Sequence, residues 1–243
     1  MLIANAIVVV VLVLLWASHD YLAAYVFQRV TYSSNSGFST DMQPVELTLY
    51  DKSTQAQLDL RVPKAYLTDA RNWRGGKQQQ VEIQAMLADM RPRALVEQED
   101  GATGNARRDV LREMVYIALE PGIYEDSPAE ALLRTSGHTS RQSDQYGLQR
   151  YRDVECTGRS DDCRVIGYDE VFLGSDAPEK VYIRCARPDI VRDGGCYAST
   201  IFRSRLLRYT FQRSKLPQWR DIDGRARKLL EGFVVADRRA VVK

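Results

Sequence analysis

The sequence predicts an α+β protein: an N-terminal transmembrane helix, then a mainly antiparallel β-sheet domain closed by a C-terminal amphipathic helix. Three patterns carry this expectation. Between Met1 and Ser18 only Asn5 and Ser18 are not apolar. From Pro44 onward, short segments alternate apolar with polar residues, the period of half-buried strands. After Leu216 the period lengthens to three and four residues.

The 243 residues are 44% apolar and 27% charged, enough for one substantial core and too polar for a bundle of membrane spans. About 20 residues cross the hydrocarbon layer as a helix, so residues 1–30 read as a transmembrane signal-anchor with Tyr21, Leu22, Tyr25 and Val26 at the interface. No Lys or Arg precedes the apolar core and no good cut site follows it, which speaks against a cleaved signal. Residues 31–43 are small and polar, a tether, and 44–243 form the folded domain.

Within that domain, VELTLY and QLDLRV form a hairpin, and QVEIQAML and MVYIALEP are further strands. Residues 93–112 read as a loop or short irregular helix. The stretch Asp126–Gln149 reads as a long, weakly structured excursion with a single helical turn at Pro128–Leu133. CRVIGY and KVYIRC are strands, and Thr200–Arg213 is one long strand with Leu207, Tyr209 and Phe211 on one face. In the closing helix Trp219, Ile222, Ala226, Leu229, Leu230 and Phe233 share a stripe. VYIALEP and VYIRCARP echo each other, which suggests two similar halves divided near 125–150.

All four cysteines, Cys156, Cys163, Cys185 and Cys196, fall in one stretch. Their spacings, C-x₆-C and C-x₁₀-C, do not resemble zinc knuckles, and an even count after a membrane signal suggests two disulfides in an oxidising compartment. Three pairings are open; the local one, Cys156–Cys163 with Cys185–Cys196, is the expectation. Arg29 after the apolar run leans toward a cytoplasmic body, whereas the cysteines favour the periplasm. The adopted reading is a single-pass inner-membrane protein with a periplasmic domain.

Chemistry is sparse. The two histidines are His19, beside the apolar run, and His138, in a Ser/Thr-rich stretch, so a hydrolytic triad has poor material. Acid pairs are available at Asp161–Asp162 and Asp169–Glu170, and they keep a glycosidase-like envelope hydrolase open as an alternative. No cofactor, metal or catalytic residue is expected. The net charge of +2 gives no reason to expect nucleic acid, yet residues 203–243 hold 12 Lys or Arg against four Asp or Glu, a local balance of +8. Tyr146, Tyr151, Tyr168 and Tyr197, with Asp161 and Asp162, are the candidate partner-binding residues, since tyrosine joins apolar area to a polar tip.

Val62, Pro63, Tyr66 and Leu67, then Gly75–Gly76, then Asp89 and Pro92, form a series that resembles the opening of membrane-anchored periplasmic immunity proteins associated with bacterial type VI secretion effectors. Ala88 stands where that family has a proline, and LPQWRDIDGRARKLLEGF is similar to its C-terminal end. The resemblance implies a non-enzymatic, membrane-tethered module that binds and neutralises a toxic effector. A structural accessory subunit of an envelope or secretion complex is the other binding alternative. The oligomeric state stays open.

Overall fold

The computed structural model describes residues 39–68, 70, 72–99, 110, 112–122, 139–153, 170–174, 180–187 and 194–238. All of them lie in the compact unit Phe38–Lys243. The expected membrane helix at 1–30, most of the tether, the CRVIGY strand and the helical turn at 128–133 fall outside the described residues.

Twelve strands are described: β1 Pro44–Tyr50, β2 Gln57–Pro63, β3 Gly76–Gln78, β4 Val81–Met86, β5 Met114–Glu120, β6 Thr139–Arg141, β7 Gln149–Asp153, β8 Glu170–Gly174, β9 Val181–Cys185, β10 Gly195–Phe202, β11 Arg205–Gln212 and β12 Val234–Arg238. Two α-helices accompany them, α1 Arg93–Glu99 and α2 Trp219–Phe233.

The strands form two sheets rather than one. A four-stranded sheet runs β12-β2-β1-β3, and an eight-stranded sheet runs β4-β5-β11-β10-β9-β8-β7-β6. Every pair is antiparallel except β1 with β3. Both VYI strands, β5 and β9, belong to the larger sheet, on either side of the β10–β11 pair.

The membrane reading is corrected. Among the described residues no helix is long and apolar enough to cross a membrane. The longer one, α2, has 15 residues, against the roughly 20 that a span needs, and seven of them are charged. The inner-membrane topology, the periplasmic placement built on it and the membrane as a partner therefore gain no support from the described fold.

The burial pattern follows the alternation in the sequence. Leu47, Leu49, Leu58, Leu60 and Val62 point inward from the small sheet, and Ile83, Ile117, Leu119, Ile183, Leu207, Tyr209 and Phe211 from the large one. Helix α2 adds Trp219, Ile222, Ala226, Leu230 and Phe233 to the same core, where Phe233 meets Tyr66 edge-on at 5.2 Å. Truncating such a leucine to alanine costs about 2–5 kcal/mol.

Three local expectations are corrected. Thr200–Arg213 is not one strand, because Arg203 and Ser204 (φ +49° and +63°) make a two-residue turn between β10 and β11. The stretch ending at Gln149 is not wholly irregular; it holds β6 and a second two-residue turn, Tyr146–Gly147 (φ +56° and +71°). The helix stops at Phe233 and the chain continues extended as β12, which pairs with β2. An ion pair then joins the two sheets: Arg205 Nη2 of β11 lies 2.9 Å from Asp237 Oδ1 of β12, close but not aligned as a hydrogen bond.

Candidate protein-binding site

The β6–β7 hairpin forms one border of the large sheet and carries two of the expected contact residues. At its tip Gln145 and Leu148 exchange backbone bonds of 3.0 and 2.9 Å, so Tyr146 and Gly147 must both take the left-handed conformation that such tight hairpins need. Glycine adopts it readily; tyrosine does not. The tip is held from below, where Trp219 Nε1 of α2 donates to the Tyr146 carbonyl at 3.2 Å. The Arg220 guanidinium stacks on the Trp219 ring, 4.7 Å from its centroid. With its backbone fixed, the Tyr146 side chain is left 43% exposed, an aromatic group presented on a rigid support.

Tyr151 and Tyr197 share the opposite face of the sheet. Register runs Tyr151–Val171–Arg184–Tyr197 across β7, β8, β9 and β10, which places the two tyrosines three strands, about 14 Å, apart. Tyr151 packs against Val171, Leu173 and Tyr182, with the Arg141 guanidinium over its ring at 5.2 Å. Burial raises the Tyr197 phenol above its ordinary value, and the Arg208 charge beside it opposes the shift. The structure thus brings Tyr151 and Tyr197 onto one face and sets Tyr146 apart at the tip. Tyr168, Asp161, Asp162, Cys156 and Cys163 lie outside the described residues.

Of the expected disulfides, Cys185–Cys196 is described. It bridges directly opposed positions of β9 and β10, with Cα atoms 4.1 Å apart.

The hydrolase alternative is corrected as well. Glu170 is buried between Arg150 and Arg213, one carboxylate oxygen on each guanidinium, while Arg213 Nη1 also donates to the Ala186 carbonyl at 2.7 Å. A carboxylate gripped from both sides is a structural anchor. Among the described residues no three His, Cys, Asp or Glu side chains converge to hold a metal ion.

Many basic residues of the C-terminal segment are paired within the fold. Arg203 pairs with Glu231, Arg205 with Asp237, Arg208 with Glu120, Lys215 with Glu113, Arg225 with Asp221 and Arg227 with Asp223. Asp221, Asp223, Glu231 and Asp237 already count in the local balance of +8; Glu113 and Glu120, with Glu170 on Arg213 and Asp59 on Arg238, offset four of those charges from outside the segment. Glu113 and Glu120 come from the acidic part of the chain, and no local count could have paired them with that segment.

No family model matches the chain, and no curated protein matches it in sequence. Two solved structures align with most of its length. Smlt3025, an immunity protein of the Stenotrophomonas maltophilia type IV secretion system, aligns with a TM-score of 0.53 and 13% identity over 84% of this chain and 100% of its own. The Neisseria meningitidis iron-regulated outer membrane lipoprotein FrpD aligns with a TM-score of 0.47 and 12% identity over 83% of this chain and 98% of its own. At such identities the first likeness establishes a shared fold with a secretion-system immunity protein, and it does not single out the type VI association that the sequence resemblance implied.

Proposed function

We propose that this chain is a protein-binding domain of the immunity type, which neutralises a toxic secreted protein by occupying it and performs no chemistry of its own. The observation that carries the reading is the likeness to Smlt3025 along that protein's whole length. The sequence resemblance points to a type VI effector and the fold neighbour serves a type IV system. Secretion-system immunity is what the two have in common, and the proposal stands at that level. The exposed, well-supported Tyr146 is of the residue type that dominates protein interfaces.

The test is co-expression of the full chain with the toxic product of the neighbouring gene. Growth should be restored, the two proteins should co-elute as a stable complex, and Tyr146→Ala should weaken that complex about tenfold or more. Growth that stays arrested, or protection without any complex, would overturn the reading.

A further inference from the structure

We infer that Arg150, Arg152 and Arg213 form a carboxylate-binding pocket that receives an acidic side chain of the protein partner, an inference that rests on the binding function proposed above. Two guanidinium groups meet on one carboxylate here, and a third arginine flanks them in register. Arg150 and Arg213 grip Glu170, and Arg152 stands directly across from Glu170 in the β7–β8 register, on the same face as Arg150. Among the described residues the cluster carries a surplus of two positive charges.

The donors are not used up. Arg150 Nε and Arg152 Nε are both shut off from solvent, and neither meets a hydrogen-bond acceptor among the described residues. A charged donor buried in that way is costly, more so in the low-dielectric surroundings of a sheet face. The cluster is nonetheless open on one side: the Glu170 side chain is 4% exposed, while those of Arg150 and Arg213 keep 29% and 20%. An incoming anion meets the exposed parts of the Arg150 and Arg213 side chains first, and the buried Nε donors respond as the guanidinium groups turn toward it.

Glu170 also indicates which anion fits. It shows these arginines sharing a planar carboxylate, one oxygen to each, and the flat fork of arginine suits a second such group. Arg150 and Arg152 lie on the same hairpin as Tyr146, so a partner contacting the tip can extend an Asp or Glu toward Arg152. An aromatic and an arginine anchor on one rigid hairpin is a composition typical of binding hot spots.

The experiment titrates the full chain with a hexaglutamate peptide, with hexaglutamine and inorganic phosphate as controls, and follows the arginine Nε–H signals by NMR. The Nε–H signals of Arg150 and Arg152 should move with hexaglutamate alone. Arg152→Gln, which leaves the Glu170 clamp intact, should weaken binding about tenfold, and Arg152→Lys should recover part of it. Unmoved Nε signals in the wild-type chain, or equal binding by Arg152→Gln, would overturn the pocket whether or not a toxic partner is found. Phosphate binding that matches hexaglutamate would overturn the assignment to a protein carboxylate. Selective hexaglutamate binding at Arg152 without any toxic partner would keep the pocket and sink the immunity reading.

Discussion

Arg203 closes on Glu231 with two nitrogens, Nε 3.0 Å from Oε1 and Nη2 2.6 Å from Oε2, and so ties the β10–β11 turn to the last turn of α2. The turn has use for the tie, since Arg203 and Ser204 both sit at positive φ, where side chains crowd the backbone. Ser204→Gly should relieve that strain and raise stability by about 0.5–1 kcal/mol, seen as a small rise in thermal midpoint. Glu231→Ala should lose less than about 1 kcal/mol, because the pair is half exposed.

Two glycines should respond in opposite senses to alanine. A Cβ at Gly147 would lie 2.8 Å from Arg220 Nη1, on a backbone at φ +71°. Gly147→Ala should cost about 1–2 kcal/mol and push Arg220 off Trp219, with a change in tryptophan fluorescence. A Cβ at Gly224 within α2 would meet nothing within 4 Å, so Gly224→Ala should stabilise the chain by about 0.5–1 kcal/mol. Chemical denaturation of the two variants side by side checks both.

Glu170→Gln removes the carboxylate shared by Arg150 and Arg213 and leaves their charges facing each other. Breaking a buried ion pair from one side costs about 3–5 kcal/mol, and the exposure left to the two arginines places the loss at the lower end. The denaturation midpoint should fall accordingly, with the slope unchanged.

Reduction of Cys185–Cys196, or its replacement by two alanines, reopens a loop with a sequence separation of 11. In the chain-entropy account such a closure is worth about 2–3 kcal/mol, to be read from midpoints with and without reductant. Register between β9 and β10 should survive, because backbone pairing from Cys185–Cys196 to Tyr182–Ser199 holds it independently.

Acid should expose the turn before α1. The backbone N–H of Arg91 donates to Asp89 Oδ1 at 3.0 Å, and its side chain adds a bond and a charge; together they hold the carboxyl below its ordinary value of 3.8. A carboxyl depressed in the folded state stabilises it above the unfolded value, and that contribution is lost as pH falls through the lower, folded one. Wild-type thermal midpoints should therefore drop more steeply than those of Asp89→Asn below about pH 4, with the two curves converging in strong acid.

Much of the architecture was legible in the chain. The alternation in VELTLY, QLDLRV, QVEIQAML and MVYIALEP matches β1, β2, β4 and β5, and the stripe from Trp219 to Phe233 matches α2. Both missed turns lack the usual marker in at least one central position. Arg203–Ser204 has no glycine or asparagine, and Tyr146–Gly147 puts an aromatic where a small polar residue is customary. β12 was hidden because Val234 and Val235 extend the apolar pattern of the helix before them.

The candidate site was legible only as residue types. Tyrosines could be nominated from composition, but their placement on a tip or a face could not. Glu170 stood in the sequence only as half of an acid pair, because its clamps lie 20 and 43 residues away.

By itself the sequence determined which faces of each segment are apolar, and hence that strands and one closing helix would share a core. Periodicity is a property of chain neighbours, and burial acts on it directly. The tertiary structure decided the division into two sheets, the exposure of Tyr146, the pairing of C-terminal arginines with distant acids and the clamping of Glu170 by Arg150 and Arg213. Those outcomes depend on pairing between distant strands, where hydrogen-bond register and charge neutralisation select one arrangement among many that the same periodicity allows.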